Sequence, residues 1–120
     1  MFKITKEFSF CASHQLLGLA NCHPCSKIHG HNYIVKVEMS RENLCKIGFV
    51  VDYRKMEKIK KYLDETVDHK HLNDVFDFNP TAENMANYFY HSWKTDFPEI
   101  SAIEVSETPK TNARYEQSNH

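Results

Sequence analysis

The most informative stretch of the chain is Cys25-Ser26-Lys27-Ile28-His29-Gly30-His31-Asn32-Tyr33, after which apolar residues continue at every second position through Met39. Side chains in a β-strand alternate between two faces, so this pattern predicts a strand over His29–Ser40 with one buried face. His29 and His31 belong to that apolar face, at the end where the strand begins. Two imidazoles that project together from the end of a buried face are typical of a metal site.

An earlier segment, Phe2–Ala12, also alternates, and its apolar face runs on to His14. If the two strands pair antiparallel, the end of the first lies beside the start of the second. His14 then joins His29 and His31 at one end of the sheet. Three imidazoles with a fourth position left open for water or substrate are the ligand set of a catalytic zinc ion. We therefore predict a zinc site at these three histidines.

The composition is that of an ordinary globular protein, with 120 residues, 41% hydrophobic residues, 26% charged residues and a net charge of −1. This near-neutral balance and the lack of a basic block give no indication of nucleic-acid binding. No apolar run reaches the length of a membrane span and the N-terminus lacks a signal-peptide pattern, so we expect a cytoplasmic protein. In a reducing compartment we expect the four cysteines to be thiols; they are Cys11, Cys22, Cys25 and Cys45.

The rest of the chain predicts two helices followed by two short strands. The predicted elements are a helix over Tyr53–Thr66, a polar segment over 67–74, a helix introduced by Pro80-Thr81 and ended by Phe97-Pro98, and strands over Ile100–Thr108 and Ala113–Gln117. Asp52 and Thr81 have the residue type of N-caps for the two helices. The order strand-strand-helix-helix-strand-strand indicates an α+β fold, with both helices on one face of a four-stranded antiparallel sheet.

Three further features are hard to explain by folding alone. Asp68-His69 lies in the polar segment, as part of a solvated loop or as an acid that orients an imidazole for proton transfer. Cys25 is a candidate partner, because a thiol beside an imidazolium or near zinc has a lowered pKa and can act as a base at neutral pH. Glu107 shares the apolar face of the Ile100–Thr108 strand, whereas Glu104 points to the opposite face. A carboxylate on the apolar face is costly unless it is paired. Glu107 is either exposed at the strand end or accepts two hydrogen bonds from a planar N–H pair of a ligand.

A second zinc arrangement competes with the three-histidine site. The turn Cys22-His23-Pro24-Cys25, together with His29 and His31, contains enough ligands for a closed, structural zinc site. This arrangement leaves out His14, and the chain has enough apolar residues to form a core without a metal. A non-catalytic protein with a structural zinc ion is therefore the alternative to an enzyme.

Taken together, these motifs resemble the 6-pyruvoyltetrahydropterin synthase family, which includes the bacterial 6-carboxytetrahydropterin synthases of queuosine synthesis. The matching pieces occur in family order over nearly the whole chain. They are Phe8-Ser9-Phe10-Cys11-Ala12-Ser13-His14, Cys25-x-x-x-His29-Gly30-His31-Asn32-Tyr33, Gly48-x-Val50-x-Asp52, Val67-Asp68-His69-x-x-Leu72-Asn73, Pro80-Thr81-x-Glu83-Asn84 and Val105-x-Glu107-Thr108.

The resemblance implies a single domain over residues 1–120 with the T-fold, in which the sheets of several subunits join into barrels. Members of the family are usually homohexamers with active sites at subunit interfaces, so the catalytic residues need not come from one subunit. Zinc is the implied cofactor. The implied roles are zinc ligation by His14, His29 and His31, proton transfer by Cys25 with Asp68 and His69, and anchoring of the pterin ring by Glu107.

The position of Cys25, with three residues between it and His29, resembles the bacterial carboxy branch of the family. In the animal pyruvoyl-forming enzymes the catalytic cysteine lies further upstream. The expected reaction converts 7,8-dihydroneopterin triphosphate to 6-carboxytetrahydropterin, acetaldehyde and triphosphate in queuosine (7-deazapurine) biosynthesis, without a redox cofactor. The pyruvoyl-forming sister activity is the alternative. The sequence does not identify the residues that contact the triphosphate, for which Lys27 and Arg114 are candidates.

Overall fold

The computed structural model describes residues 1–117 and contains a five-stranded sheet with its helices packed on one face. The strands are β1 (Phe2–His14), β2 (His29–Arg41), β3 (Lys70–His71), β4 (Ile100–Ser106) and β5 (Ala113–Glu116). The α-helices are α1 (Glu57–Thr66), α2 (Leu72–Val75) and α3 (Ala82–Lys94), and single 3₁₀ turns occur at Pro24–Ser26 and Tyr53–Met56.

Strands β1 and β2 form the frame of the sheet. They pair antiparallel along their whole length, from Phe2 opposite Arg41 to His14 opposite His29. Their alternating apolar side chains are buried on the face that the helices cover; these are Phe8, Phe10, Ala12, Tyr33, Val35, Val37 and Met39. The two predicted strands and their antiparallel pairing are therefore confirmed.

The prediction of a four-stranded antiparallel sheet is wrong in one respect. The strand order is β3-β1-β2-β4-β5, and β3 pairs parallel with β1 at Ala12 and Ser13, so the sheet is five-stranded and mixed. The polar segment 67–74 therefore contains a strand and the start of α2 rather than only a loop. A strand of two residues is too short to produce a period-two pattern, so no pattern in the sequence predicts it.

The helices cover the sheet with the apolar faces that their spacing predicts. Ile59 and Leu63 of α1 and Met85, Phe89 and Trp93 of α3 are buried in one cluster with the sheet residues. Within residues 1–117, the structure has no helix of the length and apolar character that crossing a membrane requires.

Side-chain caps fix where the helical segments begin. The carboxylate of Asp52 accepts a hydrogen bond from the backbone N–H of Arg54, so the segment starts with the 3₁₀ turn and α1 follows it. The hydroxyl of Thr81 accepts from the N–H of Asn84 at the start of α3. Both predicted N-caps are confirmed, because each oxygen satisfies a backbone donor that the helix leaves free.

One edge of the sheet is largely free within the chain. Strand β1 pairs with β2 on one side, and on its other side only Ala12 and Ser13 pair, with β3. Among the described residues, the stretch from Phe2 to Phe10 therefore presents backbone donors and acceptors without a partner strand. A long free edge of this kind is a template for pairing with another chain.

Candidate functional site

Three histidines meet at the end of the sheet where β1 ends and β2 begins. His14 and His29 are opposite each other in the register, and His31 lies two residues further along the same face of β2. Their ligand nitrogens all lie within 4.8 Å of one another. His14 is fully buried, whereas His29 and His31 are partly exposed. The antiparallel pairing thus brings together the three residues that alternation had placed on one face.

Backbone carbonyls orient two of these imidazoles. The Nδ1 atom of His14 lies 2.8 Å from the carbonyl oxygen of Pro80, and Nδ1 of His29 lies 2.8 Å from that of Lys27. A carbonyl oxygen only accepts hydrogen bonds, so both Nδ1 atoms carry the proton and both Nε2 atoms present a lone pair. The hydroxyl of Tyr33, 3.1 Å from Nδ1 of His14, closes the buried side of the same ring.

The arrangement of the Nε2 atoms fits a bound cation. The Nε2 atoms of His14 and His29 are 2.9 Å apart, and Nε2 of His31 is buried without a hydrogen-bond partner among the described residues. Two lone pairs at such a distance repel unless a positive charge lies between them. Burial lowers the pKa of both His14 and His31, so neutral imidazoles that bind a metal suit the site better than an imidazolium. The three residues therefore form a group that could hold a metal ion.

Glu107 extends the cluster towards solvent. Its Oε2 atom lies 3.7 Å from Nε2 of His31, which is beyond hydrogen-bond distance but close enough for a favourable charge interaction. Its side chain is 26% exposed, so the carboxylate can be reached by a ligand. Glu104 faces the other side of the sheet and pairs with Arg114 at 3.5 Å. The predicted placement of the two glutamates on opposite faces is confirmed.

The loop that carries Cys25 is attached to the end of β1. The carbonyl of Cys25 accepts from the N–H of Leu16 at 2.9 Å, and the side chain of Gln15 donates to the carbonyl of Ser26 at 2.7 Å. The N–H of Cys25 donates to the imidazole of His23, which begins the 3₁₀ turn. These hydrogen bonds hold Cys25 close to the end of β1, where His14 lies.

Asp68 and His69 are fixed to the outer edge of β1. The N–H of Cys11 donates to Asp68 Oδ1 at 2.9 Å, and the N–H of His69 donates to the carbonyl of Cys11 at 2.6 Å. The two side chains lie 3.4 Å apart, and that of His69 is 80% exposed. His69 adopts a φ of 58°, a left-handed conformation that costs a non-glycine residue energy and that recurs at functional sites.

The structure brings together some of the predicted site residues and keeps others apart. His14, His29, His31 and Glu107 form one continuous group. Within residues 1–117, no hydrogen bond or ion pair of a single chain joins Cys25 to Asp68 or His69. The alternative closed site is not the arrangement that forms, because the group of close ligand atoms contains His14 and neither Cys22 nor Cys25.

Sequence reasoning missed the residues that support the cluster from outside. Tyr33 shares the face of His31 by strict alternation, so the pattern contained a signal for it. The Pro80 carbonyl left no signal, because any residue supplies a carbonyl.

Two asparagines of the later polar segments also support the site. The side chain of Asn73 binds both the N–H and the carbonyl of Gln15, and that of Asn79 binds both backbone groups of Leu17. Each amide supplies one donor and one acceptor, which matches an extended backbone. The loop after His14 is therefore fixed at two points.

The fold and the cluster together define a class of protein: an α+β protein with three histidines at the end of its sheet that could hold a metal ion. The sequence profile described as 6-pyruvoyl tetrahydropterin synthase matches residues 3–118. The chain belongs to the 6-pyruvoyl tetrahydropterin synthase family.

Curated relatives carry the name of the carboxy branch. The chain is 30% identical to the 6-carboxy-5,6,7,8-tetrahydropterin synthase of Haemophilus influenzae, over 98% of this chain and 100% of that protein. It is 33% identical to the enzyme of the same name from Synechocystis, over 96% of this chain and 93% of that protein. Among solved structures, the 6-pyruvoyl tetrahydropterin synthase of Caenorhabditis elegans superposes with a TM-score of 0.84 at 28% identity, over 98% of this chain and 96% of that chain. The chain thus has the T-fold of this family.

Proposed function

We propose that this chain is a zinc-dependent 6-carboxy-5,6,7,8-tetrahydropterin synthase that acts on 7,8-dihydroneopterin triphosphate in queuosine biosynthesis. The products are 6-carboxytetrahydropterin, acetaldehyde and triphosphate. The observation that carries the proposal is the convergence of His14, His29 and His31 beside the accessible carboxylate of Glu107. The names of the bacterial relatives and the position of Cys25 relative to His29 favour the carboxy product.

Three histidines are the protein ligands that a catalytic zinc ion commonly takes, and here His14, His29 and His31 would hold it. When bound, zinc supplies a Lewis acid that lowers the pKa of substrate hydroxyls and stabilises negative charge on oxygen. The carbonyls of Pro80 and Lys27 keep two of the imidazoles in the tautomer that metal binding needs.

Glu107 has the chemistry required to orient the pterin ring. A carboxylate accepts two parallel hydrogen bonds from an N–H pair, such as the one on the amino-pyrimidine edge of a pterin. Its position 3.7 Å from Nε2 of His31 would place the ring next to the histidine cluster. Fixing the ring there brings the side-chain carbons within reach of a protein base, which lowers the entropic part of the barrier.

Cys25 is the proposed acid and base. As a thiolate it takes a proton from a side-chain carbon of the substrate, and as a thiol it gives a proton to the ring. Asp68 and His69 assist this proton transfer, with Asp68 orienting the imidazole of His69. Triphosphate leaves, and one water molecule balances the loss of the two-carbon fragment as acetaldehyde. The ring gains its hydrogens at the expense of the side chain, so no redox cofactor takes part.

We further propose a cytoplasmic homohexamer in which Asp68 and His69 of one subunit act with Cys25 of another. Two observations support this arrangement: within the described part of one chain no hydrogen bond or ion pair joins the pair to Cys25, and the side chain of His69 is exposed. The free edge of β1 offers a surface for joining sheets of neighbouring subunits. The four cysteines are free thiols, as a reducing compartment would keep them.

The test is the identity of the pterin product. Zinc-loaded protein is incubated with 7,8-dihydroneopterin triphosphate, and the product is identified by mass, with metal-stripped protein as the control. We expect 6-carboxytetrahydropterin from the loaded protein only. The second candidate is the 6-pyruvoyl activity named for the structure from Caenorhabditis elegans, and a pyruvoyl product would establish it. No conversion by the loaded protein would refute both candidates.

Substitution of Glu107 by Gln should weaken the binding of 7,8-dihydroneopterin by about 30-fold or more, because an amide cannot accept both ring hydrogen bonds and loses the charge. The matched control is Glu104→Gln, which removes a neighbouring carboxylate from the opposite face. Equilibrium titration followed by pterin fluorescence measures both. If the two variants bind equally well, Glu107 does not anchor the ring.

A further inference from the structure

Two cavities lie on either side of one segment at the end of β2. They share Gly30, His31 and Asn32 as lining residues. The first, of about 630 Å³, contains Glu107 and is called the Glu107 cavity. The second, of about 510 Å³, contains Lys70 and is called the Lys70 cavity. A ligand lying across the shared segment would pass His31 of the histidine cluster and place one end in each cavity.

The two cavities differ in charge. The Glu107 cavity is lined by the carboxylates of Glu7 and Glu107, and its lysine, Lys36, is paired with Glu7 at 3.5 Å. The Lys70 cavity is lined by Lys70 with a histidine on each side of it in the sequence, and no carboxylate lines it. Within residues 1–117, Lys70 takes part in no ion pair. One cavity therefore suits N–H donors and the other suits an anion.

A hydrogen bond prepares His71 to contact an anion. The hydroxyl of Ser13 lies 2.9 Å from Nδ1 of His71, and both residues line the Lys70 cavity. When the hydroxyl donates to Nδ1, the proton of the neutral ring is on Nε2, which is then a donor. The ring of His71 can therefore donate a hydrogen bond to a phosphate oxygen.

Gly30 leaves the passage between the cavities free of a side chain. A Cβ atom built at this position would meet only the carbonyl oxygen of Ala12, at 3.5 Å, which is ordinary contact. The fold itself therefore does not require glycine here. Because Gly30 has no side chain, a ligand can lie directly against the backbone between the two cavities.

We propose that the Lys70 cavity binds the triphosphate of the substrate, with Lys70 and His71 as phosphate-binding residues. The pterin ring then occupies the Glu107 cavity, and the three-carbon side chain lies beside the histidines. Lys70 supplies a flexible point charge and His71 a fixed donor, a combination suited to phosphate oxygens. This assignment rests on the proposed function, because that function defines the ligand as a pterin with a triphosphate at the opposite end.

Lys27 and Arg114, the two candidates from the sequence for contacting the triphosphate, fit less well. Arg114 is already bound by carboxylates, at 3.0 Å from Glu38, 3.5 Å from Glu104 and 3.0 Å from Glu116. Lys27 lines neither of the two cavities. The residues in contact with the triphosphate are therefore those of β3, the strand that the sequence did not reveal.

The experiment compares two ligands that differ only in the triphosphate. Dissociation constants for 7,8-dihydroneopterin and 7,8-dihydroneopterin triphosphate are measured by fluorescence titration on zinc-loaded protein carrying Cys25→Ala, which prevents turnover. The constant for 7,8-dihydroneopterin divided by that for the triphosphate gives the contribution of the phosphates to binding. We expect Lys70→Gln to reduce this ratio by about tenfold, because it removes a charge-assisted hydrogen bond. His71→Gln should reduce it less, and Lys70→Arg should largely restore it.

The control is Lys27→Gln, which removes the same charge outside both cavities and should leave the ratio unchanged. The binding of 7,8-dihydroneopterin itself reports a folding defect, since it should not respond to Lys70→Gln. An unchanged ratio in Lys70→Gln, or an equal drop in Lys27→Gln, would overturn the assignment. Failure of the proposed function is seen separately, as absence of product from the unmutated protein.

Discussion

Cys25→Ala should reduce the rate of substrate conversion by about 1,000-fold, within the range of 100- to 10,000-fold that a positioned acid or base contributes. The thiol is the group proposed to move the proton between the side chain and the ring, and alanine can neither take nor give one. The zinc content should not change, because the sulfur of Cys25 is outside the group of close ligand atoms. Rate measurements on metal-quantified protein test both statements.

The neighbouring cysteine provides the matched control. Cys22 is an exposed thiol in the same loop, three positions earlier in the chain. Cys22→Ser should retain the activity and the metal of the unmutated protein. If Cys22→Ser lost zinc, the closed structural site would be the better description. If Cys25→Ala retained activity near the original level, the proposed role of Cys25 would be wrong.

His31→Ala should release the bound metal and abolish conversion. His31 contributes a buried Nε2 atom that has no hydrogen-bond partner among the described residues, which leaves its lone pair available for the proposed metal ion. Losing a ligand should reduce zinc affinity by more than the roughly 10- to 100-fold that loss of an outer hydrogen bond costs. Metal analysis after gel filtration, combined with a competition titration against a chelator, measures the change.

The control for this substitution is His91→Ala. His91 is an exposed residue of α3 whose ring nitrogen Nδ1 binds the carbonyl of Asn87. Zinc content and activity should not respond to its removal. Retention of zinc by His31→Ala at the original affinity would remove His31 from the set of ligands and leave only two imidazoles, too few for a typical zinc site.

Much of this site was predictable because it depends on strand periodicity. Alternation placed His14, His29 and His31 on one face of two strands, and antiparallel pairing is enough to bring a strand end beside a strand start. The same argument separated Glu104 from Glu107, and the structure has these carboxylates on opposite faces. These predictions required only the position of each residue in the alternation between the two faces of its strand.

The remaining parts depend on contacts that have no local pattern. Strand β3 forms because Lys70 and His71 meet the edge of β1, and two residues cannot show a period. The left-handed backbone of His69 is held by the hydrogen bond that its N–H donates to the carbonyl of Cys11, 58 positions earlier. The orientation of the His14 ring depends on the carbonyl of Pro80. Such features follow from tertiary packing. Sequence reasoning therefore identified the chemical groups of the site but not the contacts that orient them.

Acetaldehyde is the product that distinguishes the proposed carboxy reaction from the pyruvoyl-forming one, so its amount is the measurement that decides between them. Zinc-loaded protein is given 7,8-dihydroneopterin triphosphate, and acetaldehyde and inorganic triphosphate are quantified in the same samples over time. The carboxy reaction releases the two in equal molar amounts, which is the result we predict. Release of triphosphate without acetaldehyde would contradict the proposed carboxy reaction and assign the chain the pyruvoyl-forming activity instead.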